Sequence, residues 1–152
     1  VVTVPTGKYH NDKLLNIGGN RTVIRPQFGI LHNRGKWTYE TTIATWFYTK
    51  NDDFWNDNEL EQDPLYTIQS HVIYTDKPGI WASASLGYGE GGESQVNGID
   101  KSDRKRNIAW ALSAGYSFTP RFGIKAAYIG TETQTDKGFD STNFALAASY
   151  VW

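Results

Sequence analysis

The chain has 152 residues, and its 15 lysines and arginines nearly balance 16 aspartates and glutamates, giving a formal net charge of -1. This length suits one domain with one sizeable core. The charge balance argues against a nucleic-acid partner, whose footprint would be basic. The absence of cysteine excludes disulfides, thiolate metal sites and cysteine nucleophiles. No apolar run approaches the roughly 20 residues that a membrane-spanning helix needs.

Methionine is absent too, so we expect the chain to be a processed or excised piece of a longer product, with any signal peptide removed. Large apolar side chains alternate with small or polar ones along most of its length. This period of two predicts strands and no sustained helix. In chain order the pattern predicts eight strands, at 1–9, 21–32, 36–49, 65–75, 80–89, 107–118, 122–132 and 142–152.

The connections between these strands alternate in length. Short turns at 33–35, 76–79 and 119–121 are rich in turn formers, and long polar segments at 10–20, 50–64, 90–106 and 133–141 separate them. This arrangement predicts a series of antiparallel hairpins. In the hairpin at 120, Tyr116 is expected opposite Ile124 and Gly115 opposite Lys125. In the first hairpin, the same reasoning places Phe28 against Tyr39 and Gln27 against Glu40.

Alternation of this kind fits a soluble barrel or a membrane barrel. The alternating connection lengths, the aromatic residues at strand ends and a polar face too small to form a core favour the membrane barrel. A lipocalin-like soluble barrel is the alternative. Apolar residues at every second position before a terminal aromatic resemble the insertion signal of outer-membrane barrels, which predicts contact with the barrel-assembly machinery. These residues are Phe144, Leu146, Tyr150 and Trp152.

Several segments resemble one protein family along nearly the whole chain. They include Pro5-Thr6-Gly7, Gly19-Asn20-Arg21, Trp46-Phe47-Tyr48, Asn51-Asp52-Asp53, Lys77-Pro78-Gly79-Ile80-Trp81 and the fairly specific run Leu60-Glu61-Gln62-Asp63-Pro64-Leu65-Tyr66. The chain resembles the family called putative MetA-pathway of phenol degradation. The resemblance implies an outer-membrane barrel that admits hydrophobic or aromatic compounds, and it implies that this chain is the C-terminal part of a longer protein.

The polar face of the predicted barrel carries the candidate site. Its polar layer consists of Arg25, Gln27, Glu40, Gln69, His71 and Lys125. Glu40, His71 and Lys125 lie at similar distances from their short turns, so we expect them at one depth. Two interpretations stay open. The layer is a structural ion-pair plug of a narrow barrel, or it is a charged constriction that tunes permeation. Trp46 and Tyr48 on the same face suggest an aromatic mouth for flat solutes, or simple packing.

Two loops suggest further partners. The acidic loop at 51–63 has carboxylates that suit Ca²⁺, but its spacing does not fit an EF-hand, and a solvated external loop is the preferred interpretation. The basic run at 101–106 suits the phosphates of lipopolysaccharide, or is an ordinary charged loop. We predict outer-membrane lipid and lipopolysaccharide as partners, no nucleic acid, no metal and no cofactor.

A catalytic function is the third class considered. Cross-strand pairing is expected to place His71 opposite Ser83 and Gln69 opposite Ser85, with Glu40 on the preceding strand. No nucleophile elbow or zinc motif accompanies them, so we predict that the chain is not an enzyme. The sequence therefore predicts one domain over 1–152, an antiparallel up-and-down transmembrane β-barrel of the bacterial outer membrane with about eight strands. The alternative is a small, closed, non-conducting barrel with a structural or surface-binding role.

Overall fold

The computed structural model describes residues 1–13 and 15–152 and consists of antiparallel strands joined by turns and loops. The strands are β1 (Val2–Thr3), β2 (Val23–Ile24), β3 (Gln27–Arg34), β4 (Trp37–Tyr48), β5 (Asn51–Phe54), β6 (Asn58–Gln62), β7 (Leu65–Lys77), β8 (Ile80–Gly91), β9 (Ser94–Val96), β10 (Ile99–Asp100), β11 (Lys105–Ser117), β12 (Phe122–Thr133) and β13 (Ser141–Tyr150). No helix in these residues is long and apolar enough to cross a membrane.

The main sheet contains seven long strands that pair in chain order, β3, β4, β7, β8, β11, β12 and β13. Each strand is antiparallel to its neighbour, which confirms the predicted all-β, up-and-down architecture. The short strands β1 and β2 extend this sheet beside β4, and in the described part of the chain the sheet is open, with β1 and β3 at one edge and β13 at the other. The first of the eight predicted strands, at 1–9, is wrong in extent, because only Val2–Thr3 form a strand there.

The two faces of the sheet differ in chemistry. One surface, which we call the polar face, contains Thr38, Glu40, Thr42, Ala44, Trp46 and Tyr48 of β4, and the pairing extends it to Gln69, His71, Ser85, Lys105 and Lys125. The opposite surface, the apolar face, contains Tyr39 and Ile43 of β4 and extends through Ile68, Leu86, Leu112, Tyr128 and Phe144. Leu112 is 56% exposed and Phe144 is 69% exposed.

Among residues 1–13 and 15–152, no apolar side chain is buried. A soluble protein of this size would bury its apolar face in a core, as a lipocalin-like barrel would. Here most of the exposed large apolar side chains lie on the apolar face of a single sheet. Lipid is the solvent that such a surface suits, because it covers apolar side chains without a second protein layer.

The strand predicted at 21–32 is interrupted at Pro26 but keeps one register. Val23 pairs with Tyr48, and Gln27 pairs with Ala44, so both pieces follow the same antiparallel ladder on β4. Proline has no N–H to donate to that ladder. The Thr45 N–H still reaches the Pro26 carbonyl at 3.2 Å. The break therefore interrupts the hydrogen bonds and leaves the side-chain alternation intact.

The long segments predicted as loops contain a second sheet that the alternation did not reveal. Its strand order is β10-β9-β6-β5, and we call it the loop sheet. It is assembled from 51–62 and 94–100, which lie at the end of the main sheet opposite the short turns. The strands are only two to five residues long. Such short strands carry too few alternations to be recognised from sequence.

The registers predicted for the hairpin at 120 and for the first hairpin can be compared with the observed pairing. Gly115 does pair with Lys125 and Tyr116 with Ile124, as predicted. The first hairpin is different, since Phe28 pairs with Ile43 and Gln27 with Ala44. A two-residue turn between Arg34 and Trp37 shifts the pairing by four residues relative to the prediction. Because four is an even number, each residue keeps its face.

The candidate binding face

The polar face is the candidate site because a cavity of about 380 Å³ lies against it. Its lining residues include Thr67, Gln69, His71, Lys105, Asn107 and Ala109. Gly87 and Gly89 lie between the polar side chains of β7 and those of β11, where they present no side chain. The centre of the polar face is therefore a shallow, largely apolar floor with polar groups at its sides.

His71 lies opposite Ser85, and its Nδ1 is 2.8 Å from the Ser85 hydroxyl oxygen. The predicted pairs of His71 with Ser83 and Gln69 with Ser85 are wrong. Ser83 faces Ile73, and Gln69 faces Gly87. The observed ladder is displaced by two residues from the predicted one, and it contains a bulge between Thr75 and Lys77.

Glu40 is directly opposite His71 on β4. The hydrogen bonds and ion pairs of the described residues include none between these two side chains. The row therefore has a carboxylate, an imidazole and a hydroxyl in neighbouring strands, but only the imidazole and the hydroxyl are connected. A catalytic triad requires that the acid orient the histidine through a hydrogen bond.

Lys125 does not belong to the Glu40 row. Its cross-strand partners are Gly115 and Ala147, whereas the Glu40 row crosses β12 at Ile129. The shared depth predicted for Glu40, His71 and Lys125 stays a prediction, since the ladder fixes their rows and not their depth. The space above Gly115 is filled by a tryptophan side chain. A Cβ at Gly115 would lie 2.4 Å from the Trp81 indole nitrogen, so the indole covers this glycine.

The aromatic mouth predicted from Trp46 and Tyr48 carries two arginines. The Arg25 guanidinium carbon lies 5.1 Å from the centre of the Trp46 ring, and Arg25 donates a 3.0 Å hydrogen bond to Gln27. The Arg21 guanidinium carbon lies 4.6 Å from the Tyr48 ring centre. Stacked guanidinium groups of this kind gain about 0.5–2 kcal/mol from the ring quadrupole.

Arg21 is the half-buried member of this mouth. Its guanidinium donates to the Gln62 amide oxygen at 2.6 Å. Burial lowers the pKa of Arg21, and the nearby Tyr48 offsets part of that effect. Two buried donor atoms, Arg21 Nη1 and Arg25 Nε, have no acceptor among the residues described. The mouth is thus cationic and keeps unused hydrogen-bonding capacity.

Lys105 is a site residue that the sequence reasoning did not separate from its neighbours. In the run Arg104-Lys105-Arg106, both arginines donate to the Glu90 carboxylate, at 2.9 and 2.8 Å. Lys105 pairs with Gly91 and lines the cavity on the polar face. Strand parity is the signal that could have found it, because successive residues of β11 point to opposite faces.

Carboxylates of the acidic loop are bound by Asn11 and Lys50, which lie outside the loop. Asn11 Nδ2 donates to Asp53 at 2.9 Å and to Asp57 at 2.6 Å. Lys50 lies 2.5 Å from a carboxylate oxygen of Glu59. Outside position 14, no three histidine or acidic side chains gather at a distance that would hold a metal ion. These carboxylates therefore have protein partners.

The residues of the predicted insertion signal lie on β13 or just beyond it. Phe144 pairs with Tyr128, Leu146 with Ala126 and Tyr150 with Phe122, and all three lie on the apolar face. Trp152 follows the end of β13 and is 97% exposed. Their role in membrane insertion stays a prediction.

Comparisons with known proteins now identify the family. The family model described as putative MetA-pathway of phenol degradation matches residues 1–148. The chain belongs to this family. A solved structure, the COG4313 outer membrane channel from Pseudomonas putida F1, is similar with a TM-score of 0.81 and 30% sequence identity over 98% of this chain. The chain spans 56% of the length of that channel. A comparison with curated proteins found no match. This similar structure is that of an outer membrane channel, which is a non-enzymatic kind of protein.

Proposed function

We propose that this chain forms part of a passive channel in the bacterial outer membrane that admits hydrophobic or aromatic compounds along its polar face. The observation that carries the proposal is the distribution of side-chain size. At the level of Gln69, the pairing aligns Gly29, Thr42, Gly87, Ala109 and Thr131. Small side chains at this level leave the cavity open, where large ones would fill it.

The membrane location in this proposal rests on the apolar face. Its side chains have no protein cover, and lipid supplies one. At the loop end of this face, Arg104 and Arg106 flank Glu90, where lipopolysaccharide phosphates would be bound by charge-assisted hydrogen bonds. Replacement of both arginines by glutamine is expected to reduce the amount of lipopolysaccharide that co-purifies. An unchanged amount would reject this contact.

The channel proposal is tested by reconstitution. The purified chain, folded in detergent and shown to migrate as a heat-modifiable band, is inserted into planar bilayers and into liposomes. We expect steady conductance steps and swelling of the liposomes in solutions of small aromatic solutes. Charge reversal by Glu40→Lys is expected to change the ion selectivity of these steps, because Glu40 is the acidic side chain of the polar face within the long strands described.

A non-conducting barrel is the second candidate, and the loop sheet is the observation that favours it. A well-ordered external surface of this kind suits a binding or structural role. Absence of conductance and swelling from correctly folded protein would overturn the channel proposal and leave this candidate. We further propose that the chain has no hydrolytic activity, since His71 and Ser85 are not joined by an acid. Hydrolysis of ester substrates that is lost in Ser85→Ala would contradict this.

A further inference from the structure

We infer that the cavity on the polar face is a binding site for aromatic monocarboxylates, with Lys105 as the group that holds the carboxylate. The inference rests on the proposed channel function and specifies the class of solute. Three observations carry it: the charge of the cavity lining, the isolation of Lys105 from protein carboxylates, and the flat floor next to it.

Lys105 is the one charged side chain that lines the cavity, and the lining residues, all of which are described, include no carboxylate. The other lining residues include the apolar Ala109, Ala111, Ile129 and Leu65 and the glycines of β8. Pockets for small ligands are mostly apolar, with a few polar groups that fix the orientation, and span about 300–1,000 Å³. One cation beside an apolar floor selects a ligand with one anionic group and an apolar body.

The ammonium group of Lys105 is available to a ligand, because the two neighbouring arginines form the ion pairs with Glu90. Glu90 lies on the apolar face, where it is bound by Arg104 and Arg106. Asp103 lies closer along the chain, but its Oδ1 accepts the Ser94 N–H at 2.7 Å. Within residues 1–13 and 15–152, Lys105 forms no ion pair.

The floor beside Lys105 suits a planar ring. Gly87 pairs with Ala109, and Gly89 pairs with Asn107, so neighbouring strands present almost bare backbone over this area. Lys105 and Asn107 are successive polar-face residues of β11 and are therefore about 7 Å apart along the strand. A carboxylate between them would receive hydrogen bonds from an ammonium and an amide, while the ring lies over the glycines.

The mouth supports the same ligand class. Arg21 and Arg25 are cations on the polar-face side of the entrance, and each is stacked on an aromatic ring. A site lined by one sign of charge concentrates ligands of the opposite sign. Anionic solutes would therefore be drawn past these arginines toward Lys105.

Calorimetric titration of the detergent-folded chain tests the inference. The probes are benzoate and benzyl alcohol, which share a ring and differ in charge. We expect benzoate to bind more tightly, and we expect Lys105→Gln to weaken benzoate binding about fivefold, as loss of one exposed charge pair would. Lys105→Arg should retain binding. Arg104→Gln is the matched control, because it removes the same charge one residue away on the opposite face.

Each contrary outcome overturns a defined statement. Equal affinity for the two probes, absence of benzoate binding, or equal weakening by Arg104→Gln would reject the carboxylate site. Conductance by the wild-type chain together with any of these results would leave the channel function standing. Lys105-dependent benzoate binding by a chain that does not conduct would support the site and reject the channel.

Discussion

The main sheet and the loop sheet are held together by opposite means. The main sheet joins long strands by regular ladders and exposes its apolar side chains, so its stabilisation comes from backbone pairing and from the solvent around it. The loop sheet has strands of two to five residues and depends on one polar side chain, Asn51, which is 1% exposed. Within the residues described, the main sheet thus buries no large apolar side chain, whereas the loop sheet buries a polar one, which must be hydrogen-bonded to be stable there.

The bonds of Asn51 connect three segments. Its amide nitrogen donates to the Gly19 carbonyl at 3.2 Å and to the Tyr9 hydroxyl at 3.3 Å. Its amide oxygen accepts from Asn20 at 3.0 Å and from the Asp53 N–H at 3.1 Å. One asparagine thus joins the segment before β2 to the first hairpin of the loop sheet.

A charge on the lipid side should give the largest effect. Leu112 and Ser113 are neighbours near the middle of β11 and point to the apolar and polar faces respectively. Leu112→Arg is expected to destabilise the folded protein by about 2–4 kcal/mol, since arginine is costly at the bilayer midplane. Ser113→Arg should have a much smaller effect. Urea titration in lipid vesicles measures both, and equal losses would contradict the assignment of the faces.

Loss of the Asn51 amide should follow in size. Asn51→Leu leaves the Gly19 carbonyl and the Asn20 amide without partners, at a cost of about 2–3 kcal/mol. We expect the damage to stay in the loop sheet. Limited proteolysis should then cut within 51–62 faster, while heat-modifiable migration of the main sheet is retained. Loss of both properties in Asn51→Leu would show that the two sheets fold as one unit.

Adding a methyl group at either of two glycines tests how the polar and apolar faces differ. A Cβ at Gly115 meets the Trp81 indole on the polar face, and a Cβ at Gly130 meets the Trp110 indole on the apolar face, each at 2.4 Å. We expect Gly115→Ala and Gly130→Ala to cost about 1 kcal/mol each, because the ring must move. Only Gly115→Ala should lower single-channel conductance, since Trp81 is displaced toward the cavity side. Equal conductance in both variants would refute that difference.

The smallest effect concerns the charge at the base of the loop sheet. The hydrogen bond to Glu59 raises the pKa of Lys50 above its ordinary value of 10.5. A raised lysine pKa stabilises the folded state below the unfolded pKa, and this contribution is lost as the pH rises through the folded value. Lys50→Gln should therefore speed loop proteolysis slightly at pH 8 and show no difference from wild type at strongly alkaline pH. A difference that persists there would exclude the ion pair as its cause.

The sequence predicted the main sheet well because alternation survives errors of register. Phe28 and Gln27 were given wrong partners, yet both lie on the expected faces. The partners themselves depend on turn length and on the bulge beside Thr75, which alternation does not encode. For the same reason His71 was assigned to Ser83 although it contacts Ser85.

The candidate site was predicted in part. Arg25 and Gln27 of the predicted polar layer contact each other, and Arg25 also contacts Trp46 of the predicted aromatic mouth, but these contacts depend on side-chain geometry that no spacing reveals. Lys105 lies between two arginines, so its charge alone does not distinguish it from its neighbours in the sequence. The loop sheet is not predicted by the sequence, because nothing in the sequence distinguishes Asn51 from other polar loop residues. Its four hydrogen bonds are visible only in the structure.

The interruption at Pro26 has a dynamic consequence. The ladder that β2 and β3 form with β4 lacks a hydrogen-bond donor at Pro26. The hydrogen bonds on the two sides of this position are therefore not continuous. Contiguous units of this kind open with separate free energies. The amides of Thr49 and Ile24 are then expected to exchange with solvent deuterium in a different cooperative event from those of Thr41 and Ile30, so the entrance beside Arg25 lies at the boundary between two independently opening parts.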